Sequence, residues 1–528
     1  MRASVELSQL EWTQMSEQKP NPDTQPKAET SAAQRPRVGF VSLGCPKNLV
    51  DSEVMMGMLS AAGAEITPHA EEADIIVVNT CSFINTAKQE SVDTILEMAS
   101  LKSTGRAKKL IVAGCLVERY RGEIQANIPQ VDAVVGTGEL EGILKAAGIE
   151  PAQQPRSPFV ILGSAPEHKI SAAQAMKSGI AARREGAARE RAGRFSRSAW
   201  QGATPALPQY LYDENTPRLL ATAPHTAYIK IAEGCDHPCA FCIIPQLRGK
   251  FRSRRFESVV AEAERLARQG VREINLIGQD TTCYGEDLEL KDGLAMLLER
   301  LAAIPELRWV RFLYAYPNKI TARLLETMAR HDKICRYIDV PLQHASAEVL
   351  KRMKRGASGG IFLRSLEKMR AAVPGLVLRT SFIVGFPGET KADFEELVAF
   401  VKAAQFDWLG VFGYSDEEGA PAYAMKDTVP EREIERRRKR LMQVQRQISR
   451  KRRRAWLGRE VAVMLEGPSE ETELLWEARS QGHAPEIDGK VFISDLGDFE
   501  DARAGEFYRA EVTETHAYDL VVRLTGRA

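Results

Sequence analysis

Residues 233–242 read EGCDHPCAFC and set Cys235, Cys239 and Cys242 in a C-x-x-x-C-x-x-C array just after an apolar, strand-like run. Thiolates are soft donors that select zinc, copper(I) or iron–sulfur clusters. A closed structural zinc site takes four ligands, and neither a fourth cysteine nor a paired histidine follows at finger spacing. Three ligands leave a position open. In an iron–sulfur cluster held by three cysteines, one iron has no protein ligand and can bind a substrate or cofactor.

A second trio lies upstream. Cys45, Cys81 and Cys115 directly follow short apolar runs at residues 38–43, 75–78 and 110–113, and are 36 and 34 residues apart. In an open parallel sheet the carboxyl ends of the strands share one edge, where ligands bind. One cysteine at a strand end is ordinarily a small buried apolar residue. Three in the same local position, with Gly44 and Gly114 beside two of them and another array downstream, read as a second cluster site. Cys283 and Cys335 have no partners at useful spacing, so neither is expected to bind iron.

The elements that must position these thiols follow from the hydrophobic pattern. The chain has 528 residues, 44% hydrophobic and 27% charged, which is ordinary globular composition. Residues 1–36 are polar and aperiodic, and a disordered extension is expected there. From residue 37 to 150 apolar runs alternate with helical stretches, the pattern of a parallel α/β domain. Residues 151–224 read as a linker with an insertion, rich in Ala, Arg and Ser over 171–197. Between residues 225 and 455 six strand runs (228–232, 273–277, 310–314, 337–340, 377–384 and 409–413) alternate with amphipathic helices. That count predicts a partial (βα)6 barrel, shorter than a complete eight-unit one. Its strand ends carry Gly278, Gln279 and Asp280, then Pro341, Gln343 and His344, then the turn from Gly385 to Glu389.

Residues 431–454 predict one long exposed helix, with twelve Lys or Arg against three Glu. Residues 456–528 change to short β-rich runs separated by turns, the pattern of a small antiparallel barrel. Over residues 459–528 sixteen Asp or Glu oppose seven Lys or Arg, a net of −9 in a chain whose overall formal charge is only +1. No apolar run approaches the roughly 18 residues of a membrane span. The N-terminus lacks the basic, apolar, small-residue order of a secretory signal, so no membrane contact and a cytoplasmic location are expected.

The motifs SLGCPKN (42–48), CDHPCAFCIIPQLRGKFRSR (235–254) and YSDEEG (414–419) resemble those of the radical S-adenosylmethionine methylthiotransferase family. The resemblance runs from residue 38 to the C-terminus, and the final barrel is similar to a TRAM domain. The first 37 residues and the segment over 155–209 exceed the family pattern. The resemblance implies a 4Fe–4S cluster on Cys235, Cys239 and Cys242 that binds S-adenosylmethionine and reduces it to methionine and a 5'-deoxyadenosyl radical. A second 4Fe–4S cluster, on Cys45, Cys81 and Cys115, would carry the sulfur, methylated by a second S-adenosylmethionine. It further implies cofactor contacts at Gly278, Gln279, Gln343, Arg379 and Gly385, with no catalytic residue beyond the cluster ligands. His344 is expected to be a structural hydrogen-bonding residue.

Within the family the motifs point to the β-carbon of an aspartate in small-subunit ribosomal protein S-twelve. A low-potential electron donor is implied, and a ribosomal RNA contact through the basic helix is possible. The alternative substrate is a tRNA adenosine, but phosphate contacts dominate nucleic-acid affinity and an acidic final barrel favours a basic protein partner. A non-catalytic iron–sulfur protein that binds RNA or ribosomes is a further alternative; it would need no open iron.

Overall fold

The computed structural model describes residues 35–150, 208–469, 472, 475–499 and 501–528, and the backbone of 159–161. The extension, except its last two residues, and the segment over 171–197 lie outside the described residues. Strands β1 (Arg37–Ser42), β2 (Glu65–Thr67), β3 (Ile75–Thr80), β4 (Lys109–Gly114) and β5 (Ala133–Val135) form one parallel sheet in the order β2-β1-β3-β4-β5. Every residue of β3 is buried, as in a strand covered on both faces. Helices Pro46–Ala61, Asn85–Thr104 and Cys115–Asn127 follow β1, β3 and β4. The edge strand β2 has only three residues, too few to show alternation in the sequence.

The Pro46–Ala61 helix buries Asn48, Asp51, Ser52 and Glu53 alongside its apolar residues. Such polar burial needs partners: Ser52 finds them in Ser42 and Asn79 of its own domain, and the following domain supplies those of Asp51 and Glu53. The chain enters that domain through β6 (Phe159–Ile161) and β7 (Arg218–Leu220), which pair in parallel within the expected linker. Arg218, fully buried, bonds Glu53 at 2.6 Å and Glu262 at 2.5 Å.

Strand β8 (Thr226–Lys230) precedes a short antiparallel pair, β9 (Ala232–Glu233) and β10 (Arg252–Ser253), that brackets the downstream cysteine loop. Parallel strands β8, β11 (Glu273–Ile277) and β12 (Trp309–Phe312) form one half of an open barrel. Strands β13 (Tyr337–Asp339), β14 (Val377–Val384) and β15 (Trp408–Gly413) form the other. Between the halves, the Ala315 amide donates to the Asp339 carbonyl at 2.8 Å. The six predicted strands are therefore present as six βα units. Helix Phe256–Arg268 buries Val259, Val260, Ala263, Leu266 and Ala267, one stripe at helical period.

Helix Glu431–Arg454 has the predicted extent but is not exposed throughout. Arg437, Leu441, Gln445, Ile448, Ser449 and Arg453 are buried, and Gln445 donates to the Phe406 carbonyl at 2.9 Å. Charged neighbours hide this narrow stripe in the sequence. The C-terminal strands β16 (Glu460–Pro468), β17 (Trp476–Ser480), β18 (Val491–Asp495), β19 (Phe507–Thr515) and β20 (Leu520–Arg527) close a barrel in the order β16-β17-β18-β20-β19. It is not antiparallel throughout as expected: β18 and β20 run parallel, because β19, between them in sequence, pairs antiparallel with the other edge of β20. Among the described residues no helix is long and apolar enough to cross a membrane.

The final barrel is fastened under the open one by buried charge. Glu273 on β11 accepts from Arg311 on β12 at 3.1 Å and from Arg479 on β17 at 2.6 Å. Burial pushes the Glu273 carboxyl up, but Arg479 and Arg311 outweigh it and hold it below the usual carboxylate range. A depressed folded pKa gives stability that is fully present above about pH 4.3 and lost as pH falls below it. Glu273→Gln is expected to cost about 3–5 kcal/mol by leaving buried guanidinium charge uncompensated, read as a lower urea midpoint at pH 7. The variant should also lose less stability than wild type on acidification.

Candidate functional site

The neighbouring strands β1, β3 and β4 bring the upstream trio together. Ser42 is in register with Asn79, and Thr80 with Gly114, so Cys45, Cys81 and Cys115 leave the same sheet edge. Two glycines permit the approach. A Cβ on Gly44 (φ +93°) would sit 2.8 Å from Cys81 Cβ and 3.1 Å from its Sγ. On Gly114 (φ +92°) it would fall 2.3 Å from Asn79 Oδ1. Cys45 caps the Pro46–Ala61 helix and Cys115 opens its own, and helix N-termini favour thiolates. The thiols nevertheless differ. Burial pushes Cys115 up to about 12 and also raises Cys81. At Cys45 burial acts the same way, but the charges of Lys47 and Arg248 outweigh it and lower the thiol.

The downstream trio sits on the loop between β9 and the short helix Ile244–Arg248. Gly234 (φ +80°) starts the loop where a Cβ would fall 2.0 Å from the Lys250 carbonyl oxygen. The Cys235 amide donates to the Gly249 carbonyl at 3.2 Å and the Cys242 amide to the Cys239 carbonyl at 3.2 Å. Arg355 Nη1 lies 3.5 Å from Cys239 Sγ. Burial raises Cys235 to about 11 and Cys242 to about 12. A metal could hold such buried thiols as thiolates, and none of the six cysteines is in a disulfide.

His237, inside this loop, stacks on Tyr316 with ring centroids 3.8 Å apart and reaches Asp280 at 2.6 Å. Asp280 also accepts from Cys283 Sγ at 3.1 Å. Cys283 is thus not isolated, as its spacing suggested: β11 and the cysteine loop converge on it. Cys335 is 1% exposed, within the core.

The two trios share a wall. Cys115 packs with Ile243 and Leu247, which flank and form the Ile244–Arg248 helix. From that helix Arg248, 2% exposed, reaches Asp51 at 3.0 Å, Glu233 at 3.1 Å and Asn48 Oδ1 at 3.3 Å. Lys230 bonds the same two carboxylates, Glu233 at 2.6 Å. This network ties the first helix of the upstream domain to the strand leading into the downstream loop. Lys47 is also buried, its ammonium 3.3 Å over the ring of Tyr314, a residue held at φ +62°.

The other predicted contacts separate. Gln279 donates to Glu233 at 2.6 Å while its Oε1 is buried with no partner among the described residues, an acceptor available to a ligand. Gly278 follows β11 beside Ala232. Gln343, at φ +72°, donates its backbone N–H to the Ser381 carbonyl at 3.0 Å. Gly385, at φ +80°, packs against Ile434. Arg379 lies near the start of β14, paired with Asp339 at 2.7 Å and with Asp488 of the final barrel at 3.5 Å, away from the strand's carboxyl end. His344 is fully buried and its Nδ1 accepts from the Ser346 amide at 3.0 Å.

Sequence reasoning missed Asp51, Lys230, Glu233 and Arg248 as a unit; the available signal was charge inside an apolar strand run. Nor did it give the YSDEEG motif a role. Glu417 of that motif is 2% exposed and binds Arg119 at 2.7 Å and Lys88 at 2.8 Å, so the motif docks the upstream domain on the barrel.

Comparison with known proteins agrees with this architecture. Residues 37–136 match the uncharacterized protein family UPF0004, 229–401 the Radical SAM superfamily and 457–524 the TRAM domain. With both cysteine trios, these define a radical S-adenosylmethionine enzyme of the methylthiotransferase class. The ribosomal protein uS12 methylthiotransferase RimO of Koribacter versatilis is 71% identical over 95% of this chain and 97% of its own length. Its counterpart in Solibacter usitatus is 57% identical over 92% and 94%. The chain belongs to the RimO family. Among solved structures, the radical S-adenosylmethionine methyltransferase TsrM from Kitasatospora setae aligns at 16% identity and TM-score 0.45, over 71% of this chain and 72% of that one.

Proposed function

We propose that this enzyme methylthiolates the β-carbon of an aspartate in ribosomal protein uS12, using two S-adenosylmethionine molecules and two 4Fe–4S clusters. Cys235, Cys239 and Cys242 would hold one cluster, and Cys45, Cys81 and Cys115 the other. The domains carrying this chemistry are residues 37–150, 225–455 and 456–528, and the site of action is the cytoplasm. The observation that carries the reading is the shared wall: Cys115 against Ile243 and Leu247 beside the downstream loop.

When bound, the cluster and S-adenosylmethionine supply the radical chemistry that an unactivated carbon demands and side chains cannot. The chain's own residues bind and orient. Gln279 offers a buried carbonyl oxygen, Arg355 lies against Cys239, and Arg248 and Lys47 place positive charge beside Cys45. Contacts from Gly278, Gln343 and Gly385 to the cofactor are part of the proposal. A contact from Arg379, which pairs with Asp339, is part of it too. A low-potential electron donor is required.

The uS12 substrate is supported by the names of the relatives and by the −9 charge over residues 459–528, which suits a basic ribosomal protein better than tRNA. The test offers a uS12 fragment, its Asp→Asn form and tRNA in parallel under anaerobic reduction. Mass gain on the aspartate form alone is expected. Methylthiolation of tRNA alone would overturn the substrate assignment.

A further inference from the structure

We propose that Arg355 sets the reduction potential of the cluster held by Cys235, Cys239 and Cys242, and that the ring of Tyr316 positions it. The inference rests on the reading above that this trio holds a 4Fe–4S cluster, and adds what tunes that cluster.

Buried cations in this chain mostly have carboxylate partners. Among the described residues only Lys47, Arg355 and Arg453 are buried without an ion pair to Asp or Glu. Arg453 is satisfied by the Tyr518 carbonyl at 3.0 Å and by the face of Trp408 at 3.9 Å, and Lys47 stands beside Cys45 of the other trio. Arg355 is 8% exposed. It donates to the Pro341 carbonyl at 2.8 Å, its Nε is buried with no partner among the described residues, and its Nη1 lies 3.5 Å from Cys239 Sγ. A buried guanidinium is costly unless negative charge lies within reach. Of these contacts only the cysteine sulfur can carry such charge, as a thiolate ligand. Donors to cluster sulfurs and nearby positive charge favour the more negative, reduced state, which raises the potential.

The guanidinium is held in place from two sides. Its backbone belongs to the turn that ends the Ala347–Arg352 helix, where the Arg355 amide donates to the Leu350 carbonyl at 2.9 Å. In the same turn the Met353 carbonyl accepts from the Ala240 amide at 3.0 Å, so arginine and cysteine loop are pinned together. Its head lies 4.2 Å from the centroid of the Tyr316 ring, a cation–π contact. That ring also stacks on His237 at 3.8 Å and 10°. Asp280, 2% exposed, fixes both ends of this arrangement: one oxygen meets His237 at 2.6 Å and the other accepts from the Thr282 hydroxyl at 2.5 Å. The Thr282 hydroxyl oxygen in turn accepts from the Tyr316 amide at 3.1 Å. Tyr316 is thus braced through ring and backbone, and Arg355 rests on it.

The test follows the reduced cluster of the full-length holoenzyme by electron paramagnetic resonance at a series of set potentials. It is run anaerobically without S-adenosylmethionine, so that no turnover enters the readout. The signal lost in Cys239→Ala identifies the downstream cluster. In Arg355→Met its reduced-to-oxidised ratio at a given potential should fall roughly tenfold, a midpoint lower by about 59 mV for one electron. A signal from the upstream trio should not move. Arg355→Lys should recover part of the difference, since it returns the charge without the fork. Tyr316→Leu should lower the midpoint, and Tyr316→Phe, which keeps the ring, should match wild type. A residue that only braced the loop would change how much cluster is bound and leave its midpoint alone. If Arg355→Met fails to hold the cluster, the two Tyr316 variants decide. An unmoved or raised midpoint in Arg355→Met, or equal midpoints in Tyr316→Leu and Tyr316→Phe, would overturn this assignment alone. A Cys239→Ala variant that kept all its iron would overturn the cluster reading, and the assignment with it.

Discussion

Replacing Cys239 with alanine is expected to abolish reductive cleavage of S-adenosylmethionine, while replacing Cys81 leaves that cleavage intact and stops sulfur transfer. The two cysteines lie on different scaffolds. Cys239 is carried by a loop closed at Gly234 against Lys250 and flanked by Arg355. Cys81 follows β3 and packs against Gly44, so its loss leaves the downstream loop untouched. Loss of a supporting residue around a metal typically costs 10–100-fold, a rough figure that loss of a ligand should exceed. 5'-Deoxyadenosine formation and mass gain on substrate separate the two activities. A Cys81→Ala variant that methylthiolated at the normal rate would show that the upstream trio carries no sulfur.

Arg248→Met is expected to lower stability by about 3–5 kcal/mol, since it strands buried carboxylates without their partner. Glu233 shows what is at stake. Burial alone would raise its carboxyl, but Arg248 and Lys230 outweigh that and hold it well below the usual range. Methionine keeps the buried stem but supplies no donor to Asp51, Glu233 or Asn48. Lysine at this position should rescue only partly, because a point charge cannot reproduce the planar fork. Because the same guanidinium joins the upstream helix to the cysteine loop, sulfur transfer should fall more than cleavage of S-adenosylmethionine. A change in urea midpoint equivalent to less than about 0.5 kcal/mol, the range of ordinary surface substitutions, would show that the network does not hold the domains together.

The elements were legible where period and position agree. Runs such as 75–78 and 110–113 mark strands because parallel strands buried on both faces are continuously apolar, and the cysteines follow at strand ends. Strands β2 and β17 were not legible: three residues cannot alternate, and the Trp476–Ser480 strand mixes Glu and Arg with its apolar residues. The buried stripe at Leu441 and Ile448 was masked by surrounding arginines. The site was legible as two trios, because each is local to a loop or repeated at strand ends. Its electrostatic wall was not, since Asp51, Lys230, Glu233 and Arg248 are brought together by tertiary packing across up to 197 residues.

If both trios hold clusters, the iron content of the enzyme will show it. Anaerobically reconstituted enzyme should contain about eight irons per chain, four for each cluster, and the Cys81→Ala variant about four. About four irons in wild type, unchanged by the Cys81 substitution, would mean that the upstream trio holds no cluster.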